Sequence, residues 1–146
     1  MQFARSVEIA APWARVWEEL SEPARFLGLQ PLLVEVREVA APGGVRAFEA
    51  VEVVRALGVP LRSRLRVELR PELAAQRVAF ATRAPLGIAL AGEFALRALG
   101  AGRTAVHESV TLRCARLLRP FVAAQARRAQ EALLANLKQR LETRKS

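Results

Sequence analysis

Few side chains in this chain can do acid, base or nucleophilic chemistry, and most of those that can are glutamates. All 14 acidic residues are glutamate, tyrosine is absent, and there is one histidine, His107, and one cysteine, Cys114. Without aspartate there is no Ser-His-Asp triad and no aspartate metal cage, and one His with one Cys is too few for a structural zinc site. We therefore expect no metal and no cofactor. Glu108 is the carboxylate of most interest. It falls in step with Val106, Val110 and Leu112 at every second position, so it points to the apolar side of a strand. A carboxylate there is either a polar handle or an acid/base group with a raised pKa. The plainer account, which weighs heavier, pairs it with an arginine near the sheet end. Glu49 and Glu52 lie on opposite phases of one strand, so only one faces inward. His107 takes the outward phase with Ser109 and Thr111, as a solvated residue would.

The elements that must hold these groups are legible from periodicity. Phe3 to Ile9 alternates as a half-buried strand. Trp13, Val16, Trp17 and Leu20 recur at helical steps after Pro12. A second short helix follows, with Ser21 as its N-cap and Gly28 as its stop. Six strands come next: Leu32–Ala40, Val45–Ala56, Leu61–Arg70, Arg77–Arg83, Ile88–Leu99 and Thr104–Cys114. In the third of these, Leu61, Ser63, Leu65, Val67 and Leu69 face one way and arginines the other. Gly92, in step with Leu90 and Phe94, marks a bend or bulge. The short links favour antiparallel pairing. A long helix, from about Leu117 to Thr143, closes the chain. Its outer side carries Arg127, Arg128, Glu131, Lys138 and Arg140, and its last residues, Thr143 to Ser146, are expected to fray.

The closing helix sets small residues (Ala123, Ala126, Ala129, Ala132) on or beside the face holding Val122, Leu133 and Leu137. Small side chains turned to a concave sheet leave an apolar hollow, which suits a hydrophobic small molecule. Facing it we place Trp17, Phe26, Leu61, Ser63, Leu65, Phe80, Thr82, Phe94, Glu108, Val110, Val122, Ala126, Ala129 and Leu133. Trp17 also has a competing role as an anchor of its helix to the core.

The chain has 146 residues, the length of a single domain, and a formal net charge of +9. No apolar run is long enough to span a bilayer, the first residues lack a secretory h-region, and one cysteine forms no internal disulfide, so we expect a cytoplasmic protein. The row Arg62, Arg64, Arg66 and Arg70 could face phosphates. No aromatic stacking platform accompanies it, so we read a solvated sheet face and no nucleic-acid partner. The oligomeric state is not legible.

In a meander, alternate links share one end of the sheet. The links at 28–31, 57–60 and 84–87 share an end and carry Leu29, Leu57, Val59, Leu86 and, adjoining, Ile88. Apolar tips clustered at one end mark a mouth, a partner site or a plug. With the positive charge, such a rim also suits weak contact with an anionic membrane surface.

The element order, a strand, two short helices, six strands and a long helix, resembles the helix-grip architecture of the START-related (SRPBCC) superfamily. So does the opening stretch from Val7 through Pro12, Trp13 and Trp17 to Pro23. The resemblance implies one α+β domain over residues 1–146, with a curved seven-stranded antiparallel sheet (β-α-α-β6-α) wrapped around the C-terminal helix. It implies binding or carriage of a lipid, isoprenoid or polyketide-like molecule between sheet and helix. Two other classes stay open: a metal-free cyclase or dehydrase using Glu108, and a non-catalytic interaction module.

Overall fold

The computed structural model describes residues 1–56 and 58–143. Leu57 in the expected apolar rim, and residues 144–146 of the expected frayed end, lie outside the described residues. Among the described residues there are seven strands: β1 (Gln2–Ile9), β2 (Leu33–Val39), β3 (Arg46–Ala56), β4 (Val59–Glu72), β5 (Arg77–Arg83), β6 (Ala89–Gly100) and β7 (Arg103–Arg113). They form one antiparallel sheet in the order β1-β7-β6-β5-β4-β3-β2. The first strand thus leaves the meander order and pairs with the last, Phe3 opposite Val110 and Val7 opposite Val106. Helix α1 (Trp13–Ser21) and a 3-10 turn (Pro23–Phe26) bridge the two edge strands, and α2 (Arg119–Thr143) runs along the hollow face beside β1. This is the α+β helix-grip fold.

Alternation on β4 places Leu65 and Leu69 in the core, and the same rhythm on β7 buries Thr104, Val106, Glu108, Val110 and Leu112. The core joins these positions to Ile9, Val16, Leu20 and, from α2, Leu133, Leu134, Leu137 and Leu141. The Thr104 hydroxyl donates to the Ala11 carbonyl at 2.8 Å and ties the β1–α1 corner to β7.

Three expectations about local structure change. Ser21 is not an N-cap: it ends α1, and its hydroxyl donates back to the Trp17 carbonyl at 2.7 Å. The second helix is only a 3-10 turn, because Pro23 supplies no N–H and Gly28, at φ +86°, ends it within a few residues. Arg140 is not part of a solvated outer face. Its guanidinium reaches under the 3-10 turn to the carbonyls of Arg25 and Leu27, at 2.8 and 2.9 Å. It also donates to Glu19 Oε2 at 2.8 Å, while Arg25 donates to Glu19 Oε1 at 2.9 Å. Glu19 is only 3% exposed, so one buried carboxylate fastens α1, the turn and α2 together. Lys138 stays 44% exposed at the helix margin, where it donates to the Glu8 carbonyl at 2.9 Å and to Glu142 Oε2 at 2.6 Å.

Gly92 sits in the sheet without a bulge. Its register with Phe80 and Val110 is unbroken, yet a Cβ there would sit 2.0 Å from the Ser109 carbonyl oxygen and 3.0 Å from the Phe80 ring. The missing side chain lets β6 and β7 close up and seats Phe80 over the gap. At the sheet end, Leu86 adopts a left-handed backbone, φ 65°, in the β5–β6 link.

Candidate functional site

Between the concave face and α2 lies a cavity of about 350 Å³. The sheet supplies its floor through inward residues of β3 to β7, and α2 supplies its roof through Val122, Ala126, Ala129 and Leu133. The roof is high because Ala126 and Ala129 reach so little way down, as their spacing on the helix predicts. Phe80 and Phe94 lie side by side in the floor, ring centroids 5.2 Å apart and tilted by 45°. Phe26 and Phe48 stack at 6.1 Å on the opposite flank.

Thirteen of the residues expected to face the hollow do line it: Phe26, Leu61, Ser63, Leu65, Phe80, Thr82, Phe94, Glu108, Val110, Val122, Ala126, Ala129 and Leu133. Trp17 does not. Its ring stacks on Trp13 at 5.0 Å, nearly parallel, because the two are four residues apart on one face of α1. That pair packs against the core and leaves the cavity wall to other residues.

Glu108 is inside the wall and 6% exposed. The arginine pairing favoured from sequence does not occur: Oε1 is buried without a hydrogen-bond partner. Gln130 from α2 donates to the Glu108 backbone carbonyl at 3.1 Å. Burial pushes the Glu108 carboxyl up to about 8, with the nearby Gln130 amide pulling more weakly the other way. Burial thus favours the protonated form, in which the group can both donate and accept a hydrogen bond. Glu52 settles the β3 question. It lines the cavity and burial raises its pKa, whereas Glu49 points outward and pairs with Arg37. Glu52 stands directly opposite Ser63 across β3 and β4.

Several lining groups were not legible in the sequence. Gln30, in the link before β2, turns its amide into the wall and leaves Oε1 buried and unpartnered. No pattern surrounds it that could have flagged it. Gln130, by contrast, lies four residues after Ala126 and three before Leu133, a spacing that places it on the roof. The phase of β3 was masked by its run of apolar residues, Val51, Val53 and Val54, on both faces.

The mouth opens at the end where the β3–β4 and β5–β6 links lie. Leu86 is 77% exposed and Val59 55% exposed there. The start of α2 adds Phe121, and the turn before it adds Leu117, 95% exposed. Leu29 does not join them: it is fully buried, and Asn136 of α2 donates to its carbonyl at 2.9 Å. The 3-10 turn before it packs against the start of β3, where Arg46 holds Glu22, and against the last turns of α2 through Arg140, so it covers the end away from the hairpin tips. His107 faces outward, its Nδ1 2.5 Å from the Ser6 hydroxyl. Among the described residues no three His, Cys or Glu side chains gather as metal ligands would, and no helix is long and apolar enough to cross a membrane.

The family model described as polyketide cyclase / dehydrase and lipid transport matches residues 1–142. No curated protein matches the chain. Among solved structures, a Thermus thermophilus protein superposes with a TM-score of 0.80 at 21% identity, each chain covering 100% of the other. The Zhui aromatase/cyclase of a Streptomyces species reaches 0.81 at 19% identity, over 99% of this chain and 94% of that one. A START superfamily protein from Mycobacterium smegmatis reaches 0.79 at 15% identity, over 97% of each.

Proposed function

Because the chain belongs to the polyketide cyclase/dehydrase and lipid transport family, we propose that it binds or carries a hydrophobic small molecule in the cavity beneath α2, within the cytoplasm. The occupant is lipid-, isoprenoid- or polyketide-like. The observation that carries this reading is an apolar hollow of about 350 Å³ containing two buried, unpartnered side-chain oxygens, on Gln30 and Glu108. A well-packed core leaves neither the space nor the orphans. Enclosure supplies the affinity: a ligand burying about 300 Å² of apolar surface gains several kcal/mol, before ordering costs, at about 25 cal/mol per Å². The polar groups then fix its orientation.

Native mass spectrometry of protein purified without detergent tests this. A co-purifying small molecule is expected, and Ala129→Phe, which fills the roof, should remove it or weaken binding of an apolar fluorophore by about tenfold or more. Unchanged binding in that variant would place the ligand elsewhere. An empty cavity that takes up no apolar probe favours an interaction module instead.

A second reading, catalysis of the cyclase or dehydrase kind, is supported by the Glu108 carboxyl alone. Buried and protonated near neutrality, it can hand a proton to a carbonyl or hydroxyl leaving group of a bound ligand. Glu108→Gln should then abolish turnover while leaving the binding of a neutral ligand nearly unchanged. The exposed rim of Val59, Leu86, Leu117 and Phe121 supports weak contact with an anionic membrane surface, through which a ligand of this kind would be exchanged.

A further inference from the structure

The charge on the cavity wall is opposite in sign to that of the whole chain. The chain carries +9. Yet among the described residues the wall holds two ionisable side chains, Glu52 and Glu108, and no arginine, lysine or histidine. The neutral polar groups there are Gln30, Ser63, Thr82, Gln125 and Gln130. Apart from Thr82 and Gln125, these polar and ionisable groups fall into two patches. One, Gln30 with Glu52 and Ser63, is at the β2–β4 side. The other, Glu108 with Gln130, is where β7 meets α2. Two strands, β5 and β6, separate β4 from β7, and apart from Thr82 the floor they supply is apolar. Leu61, Pro85, Leu86 and Phe121 line the cavity at the mouth and bring no cation to its wall; Arg116 and Arg119, beside Leu117 and Phe121, are exposed to solvent outside that lining.

We propose that this cavity excludes anions: it takes an uncharged molecule bearing hydroxyl or keto groups and rejects a free carboxylate or phosphate of the same chain length. The proposal rests on the ligand-binding reading above. An anionic headgroup entering the wall would lose its hydration and meet no positive partner. It would also approach carboxyls, whose ionised forms repel it. A hydroxyl or keto group meets neither obstacle. A hydroxyl can donate to the unpartnered Oε1 of Gln30, and a hydroxyl or a keto oxygen can accept from the protonated carboxyl of Glu108, whose Oε1 is likewise unpartnered. The arginines on the outer sheet face do not alter this, because their guanidinium groups lie in solvent beyond the sheet, where screening is strong.

The test is displacement of the neutral fluorophore N-phenyl-1-naphthylamine by 1-decanol and by decanoate, matched in chain length and different in charge. Near neutral pH, where the acid is ionised, decanol should displace the probe at a concentration at least about tenfold below decanoate. Glu52→Lys, which puts a cation on the wall, should narrow that gap to about threefold or less. Equal or tighter binding of decanoate to the natural chain overturns anion exclusion while leaving the ligand-binding reading intact. A gap that Glu52→Lys leaves unchanged, in a variant still binding the fluorophore, overturns the assignment to wall charge. Failure of fluorophore and decanol alike to bind removes the ligand-binding reading, and this inference with it.

Discussion

Glu108 makes stability depend on pH in an unusual direction. Its carboxyl titrates at about 8 in the folded chain and at about 4.3 once unfolded. Between these values the native state holds a proton that the unfolded state has released, so rising pH favours unfolding by up to about 1.4 kcal/mol per pH unit. The contribution is fully present below the unfolded pKa and is lost as pH climbs through the folded one. Glu52, also raised by burial, adds in the same sense. Urea midpoints for the natural chain should therefore fall steadily from mildly acid to mildly alkaline buffer, and Glu108→Gln should flatten the trend. A midpoint that rises over that range would show the carboxyl to be ionised and paired. The inward direction of Glu108 was legible because Val106, Val110 and Leu112 fix the phase of β7. Its lack of a counter-ion was not, since no strand pattern says which arginines bend around a sheet edge and which stay outside.

Among the elements, two devices hold the cavity open, and each can be broken separately. At Gly92, a methyl group would meet the Ser109 carbonyl oxygen at 2.0 Å. Gly92→Ala should cost about 3 kcal/mol or more in chemical denaturation, the high end of overpacking penalties, because backbone cannot step aside as a side chain can. The Glu19 fastening is the second. Arg140→Met removes one of the guanidiniums that hold the buried Glu19 carboxylate and frees two carbonyls of the turn. A loss of about 2 kcal/mol is expected. Lysine should not rescue it, having a point charge where a fork reaches three oxygens. The strands, α1 and α2 could be drawn from alternation, helical steps and Pro/Gly punctuation. The second helix was over-read, because one apolar residue, Phe26, beside Pro23 and Gly28 looks alike for a 3-10 turn and a short α-helix. Trp17 was misplaced for a related reason: helical spacing shows which face is apolar, not which neighbour that face meets. The reach of Arg140 to α1 and the turn, and of Lys138 to β1, was hidden too, since a charge pattern cannot show which neighbouring element a long side chain crosses to.

At the scale of the molecule, a basic body ends in an apolar lip. If that lip meets membrane, vesicles containing anionic lipid should bind the protein at low salt and release it as salt screens the attraction. Val59→Ser combined with Leu117→Ser should weaken sedimentation with vesicles by about tenfold or more while leaving the fold intact, since both side chains are more than half exposed. Binding that resists both salt and the double variant would dismiss the membrane role. The lip also contains Leu86, held at φ 65° with Gly87 at φ 73° beside it. Glycine would occupy the first of these positions without conflict, whereas leucine costs about 1 kcal/mol of backbone energy. A thermostability screen should accordingly select Leu86→Gly as an improvement, and if the proposed ligand enters past this residue, the improved protein should take up an apolar probe more poorly, robustness and traffic being traded at one position.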